Sequence, residues 1–110
     1  MGYVEVKLTK GNNQFTSPPN VDTSVSVFDD IRNSGIYNYV EVVYVLSEDG
    51  TRWIQVLEDD KWIPNRVYNI KVTQDCTLKI SVIDKEQEIN WLPFLAIAGS
   101  IILAILILRE

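Results

Sequence analysis

The chain contains no histidine. That absence removes Ser-His-Asp and Cys-His nucleophile arrangements and nearly all zinc chemistry, which leans on imidazole ligands. Cysteine is almost missing too: Cys76 stands alone, so no disulfide can close within the chain, and a single thiol suits a reducing compartment. It lies in an alternating stretch with Leu78 and Ile80, the setting of a structural thiol and not of an activated one. None of the five glycines belongs to a phosphate-binding loop. Basic residues are few as well, ten Lys and Arg against fifteen Asp and Glu, for a net charge of −5. An acidic chain without a basic stripe is a poor ligand for a phosphate backbone, so no nucleic acid is expected as a partner.

The acidic residues themselves do not form a site. Asp29–Asp30, Glu48–Asp49 and Glu58–Asp59–Asp60 are adjacent in sequence, whereas a hard cation needs six to eight oxygens delivered at alternate positions. They read as solvated turns. No catalytic residue, cofactor or metal site is expected, and the chain is not expected to be an enzyme. The start, "MGYVEVKLTK", lacks the apolar stretch of a secretory signal, and Val6 occupies the position where N-myristoylation requires Ser or Thr.

What the sequence does have is one long apolar run. Leu92 to Leu108 carries no charge and includes five Leu, five Ile and Phe94. Their summed preference for a bilayer is about −5 kcal/mol on the insertion scale. Residues 91–110 are therefore expected to form a transmembrane helix with a two-residue tail. Pro93 falls in the first turn, where a missing N–H costs little, and Trp91 at the headgroup level. Phe94, Leu95, Ile101, Ile102, Leu106 and Leu108 are expected to meet lipid. Eighteen residues from Trp91 span about 27 Å, slightly less than the ~30 Å hydrocarbon core. Ala96, Ser100 and Ala104 recur at a spacing of four with Gly99 beside them, a stripe on which a second helix could pack closely to give a helix–helix oligomer.

Ahead of this run, residues 1–83 alternate in the two-residue period of half-buried strands. Residues 3–9, 66–73 and 76–83 each place apolar side chains on one face. "YNYVEVVYVL" (37–46) is apolar on both faces, as a central strand covered on both sides would be, and "SEDG" (47–50) is a turn that pairs 39–46 with 51–57 as a hairpin. "EDDK" (58–61) and "TQDC" (73–76) are further turns. "GNNQFTSPPN" (11–20) reads as loop because Pro18 and Pro19 exclude helix and interior strand. Residues 22–34 favour a short helix over a strand, with Asp22 as its cap, Val25, Phe28 and Ile31 inward and Gly35 as its stop. The expected fold is mainly β, or α+β if that helix forms. It would be a small antiparallel β domain of at least five strands: with the helix a unit that resembles the β-grasp in outline, without it a small sandwich.

Seven residues, 84–90, link this domain to the apolar run. Fully extended they reach at most ~24 Å. Their net charge of −2 disfavours contact with anionic headgroups, so the domain is expected to face a protein and not the lipid surface. Lys79 and Lys85 before the run, against Arg109 after it, favour a cytoplasmic domain on a single-pass, tail-anchored chain. This organisation resembles small membrane-anchored minor capsid proteins of viruses with an internal membrane. It implies a structural virion protein whose domain lies on the outer face of that membrane and bridges lipid to capsid during assembly. An accessory subunit of a cellular membrane complex shares the same organisation. An extracellular module recognising a glycan or peptide is the alternative from a different class. Trp53 and Trp62, each following an acidic turn, and Tyr39 are the candidate partner-binding side chains.

Removing residues 91–110 should move the protein from the membrane to the soluble fraction without loss of its β-rich circular dichroism. Aggregation or unfolding of the shortened chain would mean that the apolar run belongs to the core.

Overall fold

Two stretches of chain, residues 2–16 and 67–82, set the architecture by running antiparallel along their whole length. The computed structural model describes residues 2–83. The tether 84–90 and the apolar run 91–110, with its anchor and helix-packing residues, lie outside the described residues. Within 2–83 no helix is long and apolar enough to cross a membrane. The first stretch holds strands β1 (Gly2–Leu8) and β2 (Gly11–Thr16), and the second holds β5 (Val67–Val72) and β6 (Cys76–Val82). Leu8 opposes Cys76 and Gly11 opposes Val72, so three steps on one side face four on the other. A mismatch of one residue bends a two-stranded ribbon sharply. The bend sends β1 and β6 into a two-stranded sheet and β2 and β5 into a four-stranded one, ordered β2-β5-β3-β4. The strands expected from the alternation are thus divided between two sheets, because a strand can switch sheets at such a corner.

The corner is held by side chains. The Asn13 amide donates to the carbonyls of Thr9 (2.8 Å), Gly11 (3.0 Å) and Ile70 (3.2 Å), while its oxygen accepts the Thr9 N–H at 2.9 Å. Asp75 Oδ1 accepts the Lys10 N–H at 2.9 Å. Gly11 takes φ +106°, a backbone conformation that L side chains rarely adopt. These bonds explain why residues 11–16, expected to be loop, form a strand: Asn13 satisfies the backbone groups that the bend leaves over. Pro18 and Pro19 do lie outside the strands.

The central hairpin forms, but its second strand is shorter than the expected 51–57 and open to solvent, and only one face of its first strand is buried. β3 (Val40–Leu46) pairs with β4 (Trp53–Gln55) in the register Leu46↔Trp53 and Tyr44↔Gln55, and β3 also pairs with β5. Tyr39, expected to begin the hairpin strand, instead ends a 3-10 turn over Tyr37–Tyr39. On the inner face of this sheet Val43, Val45, Tyr68, Ile70 and Val72 are buried, and they share one core with Leu78 and Ile80 of β6.

The helix exists, but shorter than expected. α1 spans Val27–Asn33, capped by Ser26 Oγ, which accepts the Asp29 N–H at 3.0 Å. Asp22 is not the cap: its carboxylate accepts the Ser24 N–H and hydroxyl (3.0 and 2.6 Å) in a turn of its own. The helix starts later because Trp62 N–H donates to Val25 O and Val27 N–H to Asp60 O, pinning 25–27 in extended form. Gly35, at φ +74°, follows the helix as its stop. Val27 and Ile31 are fully buried, whereas Phe28 is half-buried with its ring edge-on to Tyr37.

α1 lies along the outer edge of β6, where it takes the place of a neighbouring strand. The Lys79 N–H donates to Ser34 Oγ at 2.9 Å and the Ser81 N–H to Asp30 Oδ2 at 2.8 Å. Asp30 is completely buried. It also accepts the Ser81 hydroxyl (2.7 Å) and the Trp62 indole N–H (2.8 Å), so one carboxyl group joins helix, loop and sheet. Trp62 in turn packs edge-on against Tyr68 with ring centres 4.9 Å apart.

Replacing Asp30 by Ala would strand three buried donors, at a cost of about 3–5 kcal/mol. Asp30→Asn should cost about 1 kcal/mol, because the Ser81 hydroxyl can rotate to accept from the new amide. Denaturant unfolding followed by tryptophan fluorescence separates the two; equal losses would show that the hydrogen bonds are not what Asp30 contributes.

Candidate docking face

The outer face of the four-stranded sheet is where side chains that face water meet in an ordered array. The registers place Gln14, Asn69, Tyr44 and Gln55 in one row across β2, β5, β3 and β4. Beside that row, Trp53 stands opposite Leu46. Trp53 is 43% exposed, although its strand is held by pairing on one side. Gln14, Tyr44, Trp53 and Asn69 line an open depression of about 510 Å³. Asn69 donates to Asn12 Oδ1 at 3.1 Å, which fixes one amide. At the far side Lys71 Nζ pairs with Glu41 at 3.4 Å, so the charge there is balanced.

The expected partner-binding residues separate. Trp53 is on this face. Trp62 is not available to a partner: it is 1% exposed and its indole N–H is bonded to buried Asp30. The apolar cluster with Phe15 and Tyr68 draws it inward. Tyr39 is half-buried against the core and accepts the Thr73 N–H through its carbonyl at 2.8 Å, so it serves the corner. Tyr44, Gln14 and Asn69 join Trp53 here without being among the expected partner-binding residues. Tyr44 alternates with Val42 and Leu46 and so shares their face, a signal that was present. Gln14 was hidden by the loop reading of 11–20.

This face has planar rings and carboxamides but no nucleophile and no unpaired carboxylate pair. Rings of this kind cover apolar area, and amides supply both donors and acceptors. Among the described residues no group of three His, Cys, Asp or Glu side chains could hold a metal ion. Cys76 is half-buried, and burial, with Asp75 beside it, raises its pKa away from the reactive range.

Two acidic turns serve the backbone. Asp49 Oδ1 accepts the hydroxyls of Ser47 (2.6 Å) and Thr51 (2.7 Å) and the Thr51 N–H (3.1 Å). These bonds hold its carboxyl below the usual range, at about 2. Asp60 accepts the Leu57 N–H at 2.7 Å. Next to it, Glu58 pairs with Arg32, whose guanidinium lies 4.8 Å from the Tyr37 ring centre. This surface network fastens α1 to the 57–61 turn.

No protein-family model, curated protein or solved structure matches the chain.

Because the folded pKa of Asp49 is depressed, its contribution to stability is present above the ordinary carboxylate value near 3.8 and is lost as pH falls towards about 2. Asp49→Asn should therefore be less stable than the parent at pH 6, with the gap closing between pH 4 and 2 in paired thermal melts. A gap independent of pH would show that the carboxylate's charge contributes nothing to the turn.

Proposed function

We propose that this antiparallel β domain, a sandwich of its two sheets followed by a transmembrane helix at 91–110, is a non-enzymatic docking module held at a membrane surface. Its partner is another protein, met by the outer face of the four-stranded sheet. The observation that carries this reading is the exposure of Trp53 beside Tyr44 on a face backed by a closed core. An indole left 43% exposed while Trp62 is buried is the kind of anchor that dominates protein interfaces. The apolar run from Leu92 to Leu108 and the short link from Ile83 support the membrane half of the proposal. Lys79 and Lys85 flank that run and favour a cytoplasmic domain, or its equivalent on the outside of a virion's internal membrane. In that setting the module would be a minor structural protein of an assembly, linking lipid to a protein shell or to a larger membrane complex.

One observation favours a second reading. Two rings with Gln14, Asn69 and Gln55 around them, and no charge lining the depression, also suit a neutral sugar, whose C–H face stacks on a ring while its hydroxyls bond to amides. That reading requires the domain on the extracellular side.

Protease protection in native membranes separates the two orientations, and photocrosslinking from position 53 then tests the face. A protein adduct from position 53, absent from position 37, is the expected result. Trp53→Ala should lower capture of that partner roughly 30-fold, the size of a ~2 kcal/mol hot spot, with the melting temperature unchanged. Unaltered capture would remove Trp53 from the interface.

A further inference from the structure

The two edges of the β1–β6 sheet are treated very differently. The edge of β6 is closed by Ser34 and Asp30, which accept the Lys79 and Ser81 N–H groups, and by the 20–22 segment. There the Asp22 N–H donates to Ser81 O at 2.9 Å and the Ile83 N–H to Asn20 O at 2.8 Å. Among the described residues nothing pairs with the outer edge of β1.

The direction of the β6 groups also fixes which β1 groups are free. Lys79 and Ser81 point their backbone away from β1, so they form non-hydrogen-bonded pairs with Glu5 and Tyr3, which they oppose. Tyr3, Glu5 and Lys7 therefore present their own N–H and C=O groups outward. Their side chains stand on the wet face. On the other face, exposure grows from buried Leu8 to Val4 at 38%. Among the described residues nothing covers Val4 on its open side.

From this edge we infer that β1 pairs antiparallel with β1 of a second copy of the chain, in the register that sets Val6 opposite Val6 across a two-fold axis. Only registers that place odd-numbered residues opposite odd-numbered ones bring outward backbone groups together. Among these, centring on Glu5 opposes Glu5 to itself, and centring on Lys7 opposes Lys7 to itself; like charges directly opposite are destabilising. Centring on Val6 opposes Glu5 to Lys7 twice. The wet face then reads Lys79, Glu5, Lys7, Thr77 across the join and the reverse beyond it, with charges alternating. Val4 of one copy lies opposite Leu8 of the other, which covers the half-exposed valine. The same charges deter unrelated strands, as charges on sheet edges do. Seven residues of edge bury less than a permanent interface needs, so the dimer dissociates on dilution.

Trapping at the axis tests this. Opposed residues of a non-hydrogen-bonded pair lie within disulfide range. Val6→Cys in a Cys76→Ser background, in the full chain in mild detergent, should give a disulfide-linked dimer on oxidation, while Lys7→Cys should not. Adding Glu5→Lys or Lys7→Glu should cut the yield at least ten-fold. Combining both in one chain should restore it, which also shows that the single variants had not simply misfolded. Mixing the two single variants should give the cross-linked heterodimer. Absence of a Val6→Cys dimer overturns the proposal, as does a yield indifferent to the charge changes, or trapping of a different polypeptide only.

Discussion

The fold depends most on the placement of one buried carboxyl group. Asp30 sits in the first turns of a seven-residue helix that has little stability of its own, since isolated helices of that length do not persist in water. Its three acceptor contacts reach the indole of Trp62, the backbone of β6 and the Ser81 hydroxyl. Removing the helix would therefore expose the β6 edge and unseat Trp62 from the aromatic cluster with Phe15 and Tyr68. Helix, loop and sheet are stable together because each supplies what the others leave unsatisfied. A polar network of this kind specifies one arrangement when it is completely bonded, and this one is.

The second constraint is the corner at 8–11 and 72–76. It lets one ribbon build two sheets, whose buried side chains share one core. Asn13, Asp75 and Gly11 make the bend, and all three are cheap, exposed or half-exposed residues. The corner also decides the surfaces. It turns the inner faces of β2 and β5 towards β6, which leaves Gln14 and Asn69 on the outside with Tyr44.

Much of this was legible in the sequence where side chains alternate. β1, β5 and β6 follow the two-residue period because each turns one face to the core, the β3–β4 hairpin follows from the turn at 47–50, and the stop of α1 at Gly35 follows from its left-handed conformation. What escaped was set by contacts distant in sequence. The start of α1 is fixed by Asp60 and Trp62, some thirty-five residues away, which overrode the local cap at Asp22. β2 has a loop composition, and only pairing with β5 makes it a strand. The same distance effect separates the tryptophans: both follow acidic turns, but only Trp62 has a buried carboxyl group to bond. Local sequence could nominate both and could not say which would stay outside.

The proposed docking face and the β1 edge are physically independent. The former is the outer side of the four-stranded sheet, away from the core, while the latter lies in the plane of the other sheet. Pairing through β1 would join two copies without covering Trp53 or Tyr44 on either. A pair would then present two docking faces, and linked sites bind more tightly than either alone when the partner offers two matching ones. This also gives a physical reason for a weak edge. A dimer that forms only where copies are concentrated would acquire its second docking face at the site of assembly, and a lone copy elsewhere would bind with the affinity of one face. The charges at Glu5 and Lys7 suit that role, because they favour one register with a like copy and disfavour indiscriminate strand addition.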